Sequence, residues 1–187
     1  MRALPAALLA AAALAAGAPA RAQKPAEPEG ADYLPAVRQE LARLDLHAVC
    51  DDATRTCTFR REVEDGPGFD FVVRLSPATR TVYIYIERYL DLPDPSGPGA
   101  SLARRLLELN RQMVTAKLEW DRVAGAIRLS TVVNTDSNLD RKALRSQIEG
   151  LFATAATLWP ELSRRAEASA DRAKPSAEPP EPPGDDG

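Results

Sequence analysis

The residues with chemical potential in this chain are few and thinly spread. Its two cysteines, Cys50 and Cys57, stand with six residues between them, and its single histidine is His47. That spacing is not the Cys-x-x-C of a dithiol redox centre, and one histidine cannot build a His-rich metal site. Carboxylates pair at Asp51-Asp52 and again at Asp91 and Asp94, each time within turn-forming sequence. Acids in such places commonly accept hydrogen bonds from the backbone two residues on. Asp136, Ser137 and Asn138 have the types that cap helices. No Gly-rich phosphate loop, nucleophile elbow or metal-spaced cluster accompanies them. We therefore assign no catalytic, cofactor-binding or metal-binding residue. The alternative reading, a small periplasmic enzyme such as a hydrolase with an unrecognised site, has no motif behind it.

The strongest signal lies at the start. Arg2 precedes an apolar run over residues 6–16, and Ala20-Arg21-Ala22 closes the segment. A basic start, a short apolar core and small residues at the cleavage positions make a secretory signal peptide over residues 1–22, cut between Ala22 and Gln23. The core is shorter than the roughly 20 residues that a membrane span requires, and no cysteine stands at the cleavage point to carry a lipid. The expected location is the periplasm or the exterior. In those oxidising compartments Cys50 and Cys57 are expected to form a disulfide.

Composition divides the rest. Residues 23–31 and 169–187 are rich in Pro and charge, and they contain too little apolar area to offset ordering entropy, so both are expected to be disordered and to leave the domain free to reach a partner. One domain over residues 32–168 remains. Net charge is −3, with basic pairs such as Arg104-Arg105 offset by nearby acids. Nucleic acid, which needs a positive stripe, is excluded as the main partner.

Within the domain, Asp32 and Pro35 open a helix whose Leu34, Val37, Leu41 and Leu44 make one stripe. Residues 48–50 and 57–59 flank a turn over 52–55 that sets Cys50 opposite Cys57. Phe69, Phe71, Val73 and Leu75 alternate with Asp70 and Arg74, and Val82, Ile84 and Ile86 alternate with Tyr83 and Tyr85. This period of two defines strands. A proline-rich loop then leads to a helix capped by Ser101, with Leu102, Leu106, Leu109 and Met113 on one face and Leu107 widening it. Two strands, over 116–120 and 126–133, precede a last helix. It starts at Asp136 or Ser137, carries Leu144, Ile148, Leu151, Ala155 and Leu158, and kinks at Trp159-Pro160. The expected fold is α+β: an antiparallel sheet with helices on one face, in the order α-β-β-β-β-α-β-β-α.

This order, together with Leu-Leu-Glu-Leu-Asn at residues 106–110 and its Leu109-Asn110 pair, resembles the YbjN family over residues 34–162. The family is described as a sensory-transduction regulator and is similar in fold to type III secretion chaperones. The resemblance implies no catalytic residues and a homodimer. It departs from those chaperones in one respect: they are cytosolic, whereas this chain has an export signal. The function expected is a non-catalytic, chaperone-like or regulatory module of the cell envelope that binds a protein or peptide. Val72, Tyr83 and Tyr85, on the sheet face opposite the core residues, form the candidate interaction surface. Burial under a helix, or packing against Thr58, is the competing reading. Asn110, at the edge of its helical stripe, is expected to bond backbone groups of a neighbouring element.

Overall fold

The structure is a computed structural model that describes residues 32–173 apart from Asp65 and Ser137. The expected signal segment with Ala22 and Gln23, the expected leader, and the residues beyond Ala173 lie outside the described residues. Within them the chain runs α1 (Leu34–Arg43), β1 (Val49–Asp51), β2 (Thr56–Glu62), β3 (Gly68–Ser76), β4 (Thr81–Asp91), α2 (Ala100–Gln112), β5 (Lys117–Asp121), β6 (Ala126–Asn134) and α3 (Arg141–Ala173). The six strands form one sheet in the order β1-β2-β3-β4-β6-β5, with every neighbouring pair antiparallel. The expected class and element order are both met.

Alternation sorts the sheet into two faces. Phe69, Phe71, Val73 and Leu75 of β3 and Val82, Ile84 and Ile86 of β4 are all buried, as are Ile127, Leu129 and Val133 of β6. The helices lie on this face: α3 against β4 and β6, α2 against α3 and β5, and α1 against α3. A shift in register between Ile86 and Leu90 interrupts the β4–β6 ladder. Past it Tyr89 is fully buried, and its hydroxyl donates to the carbonyl of Ala155 at 2.9 Å. Burial pushes the Tyr89 phenol well above its ordinary pKa. Phe69 and Trp159 pack on its ring at centroid distances of 5.6 and 5.7 Å.

Several local expectations are corrected. The expected core contribution of Leu107 fails, because this residue is 71 % exposed. Ser101 does not cap α2, whose N-cap is Gly99 with no side-chain bond. The last helix starts later than expected: Asp140 Oδ1 accepts from the amides of Lys142 and Ala143, and the helix begins at Arg141. It also runs unbroken through Pro160, past residue 168, to Ala173. Proline removes one backbone bond at that point. Leu162 and Ala166 beyond it are buried, and Arg105 of α2 grips Glu161, so tertiary contacts hold the segment helical.

Glycine is demanded at Gly125, the last residue of the β5–β6 turn. Its φ is +63°, and an added Cβ would lie 2.9 Å from the Cβ of Pro95. The proline-rich loop therefore sits directly on this turn.

Candidate interaction surface

The two cysteines are joined by a disulfide with a Cα separation of 4.0 Å, in the register that opposes Cys50 to Cys57 across β1 and β2. The four-residue turn sets that register. Asp51 accepts from the amide of Ala53 at 2.9 Å and from the hydroxyl of Thr54 at 2.8 Å. The Thr54 bond, followed by the Ala53 amide, holds the Asp51 carboxyl below its ordinary range. This acid shapes a turn. Its neighbour Asp52 pairs with Arg38 of α1, Asp94 accepts from the Ser96 amide, and Asp91 pairs with Arg88. Among the described residues no three His, Cys, Asp or Glu side chains converge as a metal site would require.

Among the described residues no helix lies on the other face of the sheet, and this is where the structure places Val72, Tyr83 and Tyr85. Register aligns Thr58, Val72, Tyr85 and Ser130 in one row across β2, β3, β4 and β6, and Arg74, Tyr83 and Val132 in the next. The Tyr83 and Tyr85 rings meet at 4.8 Å between centroids, tilted by 30°. The Arg128 guanidinium lies over the Tyr85 ring at 4.5 Å, held at the side by Asp121 at 2.8 Å. The Tyr83 hydroxyl donates to Glu119 of β5. Burial first, and then the neighbouring acids Glu119 and Glu87, raise the phenol pKa values of Tyr83 and Tyr85. Both rings therefore stay neutral donors at physiological pH.

The three expected surface residues are not equivalent. Val72 and Tyr85 are each only 9 % exposed, screened by long neighbours and not by a helix, while Tyr83 is half-buried. Val72 opposes Thr58 across β2 and β3, as the reading of packing against Thr58 expects. Val132, which sequence reading passed over, is 51 % exposed beside Tyr83. Its signal was present, because Val132 sits out of phase with the buried Leu129 and Val133 set in a β-branched run. The face therefore has an aromatic and aliphatic centre ringed by Arg74, Arg128, Glu119 and Glu87.

Asn110 closes the opposite edge. Its amide nitrogen donates to the carbonyl of Leu118 at 2.9 Å, and its Oδ1 accepts from the Leu118 amide at 2.8 Å. The side chain takes the place of a further strand at β5, which blunts an edge otherwise open to pairing.

The sequence matches no family model and no curated protein. Solved structures do resemble it. A chain in the crystal structure of the ExsC-ExsE complex superposes with a TM-score of 0.53 at 14 % identity, over 71 % of this chain and 98 % of that one. The HopA1-SchA chaperone–effector complex gives 0.48 at 16 % identity, over 67 % and 93 %. YbjN from E. coli, a candidate transcription regulator, gives 0.46 at 16 % identity, over 74 % and 92 %. At this identity the likeness to the chain in the ExsC-ExsE complex shows a shared fold.

Proposed function

We propose that this protein is an exported, non-catalytic interaction module of the cell envelope that binds a protein or peptide on its open sheet face. The carrying observation is the Tyr83–Tyr85 ring contact beside exposed Val132, on a face that no helix of the described residues covers. Chaperone–effector complexes among the similar folds support a protein partner. Export rests on the signal-like segment over residues 1–22, and the Cys50–Cys57 disulfide suits the oxidising space it leads to.

Self-association is the second property proposed, as the resemblance implies. Leu107 on α2 is 71 % exposed on the side of the molecule away from β1. This side chain, and not the tyrosine face, is assigned to a second copy.

The test is capture of the tagged protein after cross-linking in cells, with Tyr83→Ser and Val132→Lys as separate variants and mass spectrometry of the product. The reading expects a mature chain beginning at Gln23, and a partner retained by wild type and lost from both variants while their melting temperatures hold. An unprocessed N-terminus would remove the envelope assignment. Partner recovery equal in all three proteins would remove the tyrosine face.

A further inference from the structure

Beyond the row of Val72 and Tyr85, the sheet loses its regular pairing on both sides of β4. Toward β6, Ile86 faces Leu129 and Leu90 faces Ile127, so Glu87, Arg88 and Tyr89 stand against Arg128 alone. Such an irregularity bends the strand that carries the extra residues. Toward β3, the ladder stops at the pair of Phe71 and Ile86. The start of β3 and the irregular stretch of β4 part here, and a pocket of about 160 Å³ opens between them. Phe69, Ile86, Tyr89 and Trp159 make its floor, and the exposed Asp70 and Glu87 stand at its rim.

Floor and rim differ in chemistry. Phe69 and Tyr89 are core residues, and each meets the Trp159 ring at 5.7 Å between centroids. The Tyr89 hydroxyl already gives its proton to the carbonyl of Ala155. An apolar cavity of about 150 Å³ takes a group the size of benzene. One side chain of leucine or phenyl size therefore fills this pocket. At the rim, two guanidinium groups serve four carboxylates. Arg60 binds Glu62 at 2.7 Å and Asp70 at 2.9 Å, while Arg128 binds Asp121 at 2.8 Å and lies 3.7 Å from Glu87. Arg88, which also lines the pocket, is engaged by Asp91 and by the carbonyl of Ala124. The mouth is left with an excess of negative charge.

The pocket is continuous with the tyrosine face. Asp70 and Glu87 stand two residues along their strands from Val72 and Tyr85, and Tyr83 is four residues from Glu87, about 13 Å of extended chain. A segment laid along β4 over Tyr83 thus reaches the pocket with a residue about four positions away. From this volume, charge and continuity we infer that the segment bound on the open face anchors itself here through one leucine-sized apolar side chain, flanked by basic residues that meet Asp70 and Glu87. The inference rests on the reading that the open face binds a protein or peptide, and it adds the chemistry of the bound segment. An apolar anchor in a preformed pocket is where binding energy concentrates, and the flanking charges fix its register.

The probe is the peptide Gly-Arg-Leu-Arg-Gly, titrated at low salt into protein labelled with fluorotryptophan, the Trp159 fluorine signal being assigned through Trp120→Phe. A saturable shift of the Trp159 signal is expected, with the Trp120 signal unmoved. Gly-Arg-Ala-Arg-Gly should bind on the order of ten-fold more weakly, because the anchor loses most of its buried carbon. Gly-Glu-Leu-Glu-Gly should also bind roughly ten-fold more weakly, because like charges then meet at the rim. In Asp70→Asn/Glu87→Gln, at exposed positions where the melting temperature should hold, the two leucine peptides should bind alike. A Trp159 signal that no peptide moves at millimolar concentration, or that all three move equally, would overturn the inference. Failure of the wider reading is distinguishable. A cellular partner lost by Tyr83→Ser and kept by Asp70→Asn/Glu87→Gln removes the anchor and leaves the open face standing. A partner kept by Tyr83→Ser removes the open face, and the anchor with it.

Discussion

Glu40 of α1 is a charged side chain that the structure buries to 1 % exposure. Arg145 of α3 donates to it from Nε at 3.0 Å and from a second guanidinium nitrogen, and Arg43 approaches at 3.4 Å. Replacing Arg145 by methionine keeps the aliphatic stem and leaves the carboxylate facing only Arg43. Stripping a buried charge of its partner costs about 3–5 kcal/mol. Arg145 is half in water, and the more distant Arg43 remains, so we expect about 2 kcal/mol after that discount. The dependence on pH is the sharper signature. In wild type the Arg145 bonds outweigh burial and hold the Glu40 carboxyl below its ordinary range. Its stabilisation is therefore complete above the unfolded pKa and is lost as pH falls through the lower folded one. In Arg145→Met burial dominates and the carboxyl rises, so the variant loses stability as pH rises and regains it when Glu40 is protonated. The cost of the mutation, measured by urea unfolding followed by circular dichroism, should be largest at about pH 7 and shrink toward about pH 4. A cost below about 0.5 kcal/mol, or one that does not change with pH, would refute the view that Glu40 docks α1 as a buried ion.

Further outcomes follow from other contacts. Asn110→Ala removes both bonds to Leu118 and should cost about 1–2 kcal/mol, with faster hydrogen exchange at the Leu118 amide. Cys50→Ser/Cys57→Ser opens a short covalent loop and should lower stability by about 2–3 kcal/mol at most, read as a fall in melting temperature that reductant reproduces in wild type. Leu107→Arg, at an exposed position, should leave the melting temperature of the isolated domain unchanged and shift sedimentation from dimer to monomer. An unaltered sedimentation profile would remove α2 from any self-association.

What the sequence disclosed was what local periodicity encodes. The alternation around Phe71 and Ile84 fixed two central strands and their inward faces, and turn chemistry around Asp51 placed Cys50 opposite Cys57 in the correct register. The Asn110 contact was legible as well, because a polar residue on the margin of an apolar stripe must find backbone partners. What escaped depends on tertiary partners. The pairing of Glu40 with Arg145 leaves no local trace, because the two lie more than a hundred residues apart. Leu107 looked buried because a stripe does not reveal how wide a face its neighbours cover. The helix beyond the kink expected at Pro160 runs past residue 168 to Ala173, and the grip of Arg105 on Glu161 that helps hold it cannot be seen in the helix itself. On the open face the tyrosines were found through their phase in β4. The half-exposure of Val132 and the near-complete cover of Val72 depend instead on which side chains of adjacent strands lean over them.

A photo-activated cross-linking residue at Val132, compared with one at Val123 on the β5–β6 turn, tests the central claim most directly. Both positions are exposed, and only Val132 adjoins the tyrosine pair. Adducts to a protein or peptide partner should form from position 132 and disappear with Tyr83→Ser, while position 123 yields none with that partner. Equal adducts from both positions, or adducts from 123 alone, would contradict a binding role for the open face of the sheet.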